Sequence, residues 1–338
     1  MNLRNKYALF YVLGLLSIIV PVILMPASLR QNLKAYIIIF IVWLALRIYI
    51  NYWYGKKINL PNTAHFWSSL FVDVGFLFML GFDRQLLPAL SIFKEALNIF
   101  KVNCKTFLKI LGWLLIPAVL LIILNIFDTL TNLKYVNYSF PIYLLLSALS
   151  FIIGLWTQIV LIRLTSASLT KEPLNEKILY TESWRDTAPF LWISILMGLI
   201  IMAGTILLVI PGLIFTIWYL FSLYIFAVEG KRGYSALQRS KELVQGKFWA
   251  IVWRLVVTGF FYGLIIFVII AIPTLIIGLI TQFNQFSSVF STMPWWLNAL
   301  QSVTAILVLP LNIGLMTIMF KDLKDNSPAP ESIPANLN

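Results

Sequence analysis

Ionisable residues inside or beside long apolar runs are where this chain could do chemistry, because an unmatched charge in hydrocarbon is costly to keep. Arg47, Asp73 and Arg163 lie at or near membrane depth. Arg47 and Arg163 sit close to the ends of their runs, where a long side chain snorkels back to the headgroups. Asp73 has no such escape. His65 lies eight residues before it, about 80° around a helix, so the pair reads either as a proton path or as the wet side of an interfacial helix. Glu229 closes a further apolar run and is followed by Lys231, Arg232 and, one expected helix later, Arg239. That carboxylate has two readings, an ion pair at the interface or a proton or headgroup role.

Other chemistries are thin. One cysteine, Cys104, makes no internal disulfide, and one histidine leaves no zinc site of the Cys/His type. Paired acids, a nucleophile with its base and a phosphate-binding glycine loop are all lacking, so the expectation is a non-enzymatic protein without a cofactor.

The elements that must hold these residues are set by composition. Of 338 residues, 60% are hydrophobic and 11% charged, and the mean hydropathy is +0.90. Too little polar surface remains for a water-soluble globule. Eight runs are long enough to cross a core of about 30 Å: 7–28, 35–54, 107–127, 142–162, 189–207, 212–228, 255–280 and 296–320. A ninth stretch, 63–82, carries His65, Ser68, Ser69 and Asp73, and spanning, dipping in and lying at the interface all stay open for it. The fold class expected is all-α, a polytopic bundle of about eight spans with cytoplasmic interfacial helices. The N-terminal run follows Arg4 and Lys6 but is too long, and its Met25-Pro26-Ala27-Ser28 end too poor a cleavage site, for a signal peptide.

Charge orients the bundle. With both termini cytoplasmic, Arg30, Lys34 and Lys134 alone of the 25 Lys and Arg fall outside. A ninth span would instead put Arg4, Lys6, Arg47, Lys56, Lys57 and Lys134 outside, a weaker bias. The net charge of +12 therefore reads as topology, and no nucleic-acid module interrupts the spans.

Between Leu90 and Lys105 the apolar residues Leu90, Phe93, Leu97, Phe100 and Cys104 step by three and four, with Lys94, Asn98, Lys101 and Lys105 opposite. This pattern predicts a basic amphipathic helix lying on the inner leaflet, its lysines toward anionic phospholipid. Similar segments precede the runs at Pro189 and Leu255, so the core reads as three helix-plus-hairpin units. The domains expected are an N-terminal hairpin with the doubtful segment (1–85), a six-span core (86–323) and a Pro-containing disordered tail (324–338). Gly259 and Gly263 have the spacing that lets helices approach closely, within the chain or in a homo-oligomer.

The most specific feature is Ile210-Pro211-Gly212, then Glu229-Gly230, then Ala236-Leu237-Gln238-Arg239-Ser240. Pro211 and Gly212 would break a helix at a buried hairpin turn, or line a lumen. The ordered set resembles the membrane domain of bacterial glycerophosphoryl diester phosphodiesterases and related inner-membrane proteins that carry it alone. The resemblance spans roughly Leu90 to Phe320 and implies six core spans in the bacterial cytoplasmic membrane. It does not imply the phosphodiesterase reaction, which belongs to a separate soluble barrel. The leading expectation is a protein that organises or binds phospholipid or a membrane-protein partner, and the alternative is a small-solute or lipid transporter.

Overall fold

The computed structural model describes residues 6, 33–58, 83, 86–131, 139–173, 175–280 and 295–327. Segments 7–28 and 63–82, with His65 and Asp73, lie outside them. The side chain of Arg47 does too. Of the described residues 90% are helical and none is in a strand. Among the described residues six helices are long and apolar enough to cross a membrane: Cys104–Phe127, Phe140–Thr170, Thr187–Leu207, Val209–Glu229, Phe248–Ile276 and Trp296–Asp325. This is an integral, multi-pass membrane protein.

In chain order the helices are α1 (Leu33–Lys57), α2 (Ala89–Val102), α3 (Cys104–Thr131), α4 (Ser139–Thr170), α5 (Glu176–Arg185), α6 (Thr187–Leu207), α7 (Val209–Tyr219), α8 (Ser222–Glu229), α9 (Tyr234–Val244), α10 (Phe248–Ile280) and α11 (Trp295–Asp325). Two compact units divide the chain: 1–84 with 247–255, and 85–246 with 256–338. In the first, α1 buries Asn51 and Tyr54, while Arg254 at the start of α10 is 5% exposed and donates to the Ala250 carbonyl at 2.9 Å.

The second unit is organised around α4 and α11, which pack together and bury Ile159, Val160, Leu161, Leu315 and Phe320. Elsewhere large apolar side chains point outward, among them Ile116 and Ile123 on α3 and Phe267 on α10. A water-soluble protein could not leave so many uncovered, whereas hydrocarbon solvates them.

Helix α2 differs from the expected amphipathic helix in the face it buries. Ala89, Ile92, Phe93, Ala96 and Ile99 are covered, while Leu90 is 47% exposed. The buried face is rotated about 80° from the predicted stripe. Small residues decide this: the Ala96 Cβ comes within 3.7 Å of where a side chain on Gly314 of α11 would begin, so α2 seats close against α11. The bulkier Leu90, Leu97 and Phe100 are left on the flank.

The hairpin between α6 and α7 also turns differently. The break is at Leu208, in extended backbone with φ −163° and ψ 146°, and Pro211 and Gly212 are helical residues in the first turn of α7. Proline is tolerated there because that turn needs few amide donors. Gly212 serves close packing rather than a left-handed turn: a Cβ on it would lie 2.9 Å from the Thr205 Cα and 2.2 Å from its Oγ1. Gly259 and Gly263 face open space, with nothing within 4 Å. We expect Gly212→Ala to lower the thermal midpoint of the detergent-solubilised protein, by about 1–3 kcal/mol of overpacking. Gly259→Ala should leave the midpoint unchanged or raise it.

Candidate functional site

Several ion pairs of the second unit gather where α4, α5, α8, α9 and α11 meet. Arg163, in the last turns of α4, is held on three sides. Its Nε donates to the Ala227 carbonyl at 3.1 Å, Nη1 to Ser183 Oγ at 3.3 Å, and Nη2 to Asp186 Oδ2 at 2.5 Å. Ala227 lies in the last turn of α8, whose free carbonyls favour a cation. Asp186 is the joint between α5 and α6 and also accepts from Arg232 at 3.3 Å. One guanidinium thus fastens α4, α5, α6 and α8, a use suited to a planar fork that never loses its charge.

Glu229, at the end of α8, is 11% exposed. Arg239 Nε is 3.9 Å from its Oε2, and Lys324 Nζ is 3.2 Å from its Oε1, a charge contact without hydrogen-bond alignment. Arg239 also reaches Glu242 at 3.6 Å. The chain leaves α8 through Gly230, whose φ of 70° is the left-handed cap that glycine adopts without strain.

Ser240 sits where the span 209–229 is interrupted. Its Oγ donates to the Trp218 carbonyl at 2.7 Å and accepts from the Phe221 amide at 3.1 Å, so one side chain satisfies two of the backbone groups that the break between α7 and α8 releases. Ala236, Leu237 and Ser240 are all fully buried, forming the face by which α9 packs on α7 and α8. Lys241 lies over the Trp218 ring at 4.7 Å.

Beside these pairs a cleft of about 690 Å³ opens between α4, α8, α11 and the segment leading into α5. Arg163, Lys321 and Lys324 line it together with Glu172, Glu182 and Asp325. Between α4 and α5, Trp156 donates to the Tyr180 carbonyl at 3.2 Å. Burial pushes the Tyr180 phenol above its usual pKa; Glu176 adds to the shift and Lys109 offsets it in part.

Compared with protein-family models, curated proteins and solved structures, the chain matches none.

Of the sequence candidates, Glu229, Arg239 and Arg163 fall among these pairs, and Lys94, Lys101 and Lys105 are exposed on α2 and the start of α3. Pro211 and Gly212 are in the first turn of α7, about 20 residues from Glu229, so a helical path puts them about 25–30 Å away. Asp186, Ser183, Lys324 and Asp322, which accepts from the Leu87 amide at 2.9 Å, were not singled out by sequence. Among the described residues no three of His, Cys, Asp and Glu come together as a metal site.

Asp186→Asn should destabilise the protein by about 3 kcal/mol, because the charge facing Arg163 is lost from a site with only 16% exposure. Arg232→Ala, removing a partner that is 68% exposed, should cost less than about 1 kcal/mol. Ser240→Ala should cost about 1–3 kcal/mol through two orphaned backbone groups. Thermal unfolding in a single detergent ranks the three.

Proposed function

We propose that this chain is a non-catalytic multi-pass protein of the bacterial cytoplasmic membrane that binds phospholipid headgroups at its charged end. The observation that supports it is the cleft of about 690 Å³, whose lining combines cations and acids near the ends of the apolar helices. A zwitterionic headgroup carries a phosphate and an ammonium a few bonds apart, and such a lining answers both. Arg163 and Lys324 are already held by Asp186 and Glu229, so Lys321 with Glu172 and Glu182 are the groups that meet the lipid. Acyl chains then follow the apolar flank beside Ile178.

Around this cleft the exposed Lys94, Lys101 and Lys105 attract anionic phospholipid, each adding about 1 kcal/mol near a charged leaflet. On this reading the flank of α2, with Leu90 and Val102 uncovered, lies at the inner interface. The same reading takes eight spans with both termini cytoplasmic, and membership of the phosphodiesterase membrane-domain family. In support, the residues that carry that resemblance, Glu229-Gly230 and Ala236 to Ser240, are those that close and brace the broken span. The alternative of a transporter draws on a separate cleft, between α3, α4 and α11.

Native mass spectrometry tests this reading. Lys321→Gln combined with Glu182→Gln should lower retention of phosphatidylethanolamine by five- to tenfold, and replacing Lys94, Lys101 and Lys105 with Gln should do the same for phosphatidylglycerol. Retention equal to that of the unaltered protein would remove the proposal. Cysteines placed singly at Lys101 and Glu242 in a Cys104→Ala background should label from the cytoplasmic side alone.

A further inference from the structure

Lining the other half of the bundle is a cleft of about 570 Å³ between α3, α4 and α11. Its polar lining comes from positions that look scattered in the sequence: Asn125 on α3; Tyr143, Ser150 and Gln158 on α4; Asn298 and Ser302 on α11. On α4 the lining residues Tyr143, Ser150, Gly154 and Gln158 recur by sevens and fours, a single stripe. From Tyr143 to Gln158 that stripe rises about 22 Å through a core of about 30 Å.

Packing alone does not account for the cleft's serines. Polar side chains that join helices bond across the interface, but the Ser150 hydroxyl donates to the Leu146 carbonyl at 2.8 Å and the Ser302 hydroxyl to the Asn298 carbonyl at 2.9 Å, each within its own helix. Their oxygen lone pairs remain on offer to the cleft. In α11, Pro310 withholds the amide that would otherwise meet the carbonyl of Ile306, and Ile306 is itself a wall residue. Backbone freed in this way at membrane depth is tolerated where it lines a cavity. The volume is that of a small-molecule site.

Charge selects the occupant. Among the described residues no Lys, Arg, Asp, Glu or His lines the cleft, so an ionised head would meet no counter-charge from them, at high cost. The remaining wall, including Leu121, Ile122 and Leu309, is apolar, and the outer faces of the same helices present Ile116, Ile123 and Leu145 to hydrocarbon. We propose that the cleft between α3, α4 and α11 is a binding site for an uncharged amphipathic lipid, one with a hydroxyl and ester carbonyls on an acyl body. The hydroxyl donates to the serine oxygens, and the ester carbonyls accept from the Gln158 and Asn298 amides. This inference is independent of the headgroup cleft at the charged end.

The test uses the full chain in phosphatidylcholine vesicles and a dioleoylglycerol carrying a photoreactive group beside its free hydroxyl. Adducts should concentrate on the peptides that carry Gln158 and Asn298 to Ser302. Excess dioleoylglycerol should suppress them, whereas dioleoyl phosphatidate, with the same tails and an ionised head, should not. Gln158→Leu, which removes a polar contact, and Ala299→Phe, which fills space, should each cut labelling at least fivefold. Adducts spread over the outward-facing Ile116 and Ile123 of the unaltered protein would overturn the proposal, a result that needs no variant to fold. Equal competition by phosphatidate, competition by free glycerol, or unchanged labelling of either folded variant would overturn it too.

Discussion

A backbone amide or carbonyl in hydrocarbon has no water to turn to, and the way this chain meets that constraint determines how its helices are joined. Where the span 209–229 breaks at Leu220 and Phe221, the released carbonyl of Trp218 and amide of Phe221 both find the Ser240 hydroxyl. That one oxygen makes α9 an integral part of the span. With α9 held by Ser240, Ala236 and Leu237, Arg239 is brought beside Glu229, and Glu229 in turn meets Lys324 of α11. Arg163 closes the terminal carbonyl of Ala227 in the same manner while gripping Asp186. The ion pairs are thus consequences of how helix ends are satisfied.

Proline poses the same problem with another outcome. Pro117 and Pro310 interrupt the hydrogen-bond ladders of α3 and α11, and their neighbours Ala118 and Leu309 border the cleft shared with α4. A break sealed by a side chain makes a joint, and a break facing a cavity makes a site. The distinction separates the span at 209–229, braced by α9, from α11, whose Ile306 lines the same cleft as polar residues of α4.

The helical, membrane-embedded class is legible in the sequence because runs of about 20 apolar residues suit little besides a bilayer, and among the described residues six helices are long and apolar enough to cross one. Legibility falls wherever the deciding partner is remote. Periodicity gives α2 an apolar stripe but not which part of it is covered; Ala96 opposite Gly314, more than 200 residues away, settles that. Asp186 and Lys324 look like ordinary charges near helix ends until folding sets them against Arg163 and Glu229. Pro211 and Gly212 suggest a turn because both are turn residues, yet the turn falls at Leu208, and the glycine is needed for its missing side chain rather than its conformational freedom. The positions lining the intramembrane cleft are outnumbered by Leu, Ile and Val in each span, so they become visible as a group only when three helices bring their stripes together.

The basic charge of the chain divides by this geometry into two kinds with different work. Arginines at positions 163 and 239 are less than 20% exposed and committed to carboxylates; their charge is cancelled locally and contributes little to any attraction beyond a Debye length of about 8 Å. Lysines 94, 101 and 105 are exposed, and a compact, hydrated ammonium on a flexible stem is suited to a diffuse anionic surface rather than a fixed partner. Removing the arginines would therefore loosen the bundle before it changed the surface potential, whereas removing the lysines would change the surface potential and leave the bundle standing. On the proposed reading, holding helix ends together and lying against a charged leaflet fall on separate residues, since a cation fully paired inside the protein has little field left for the lipid.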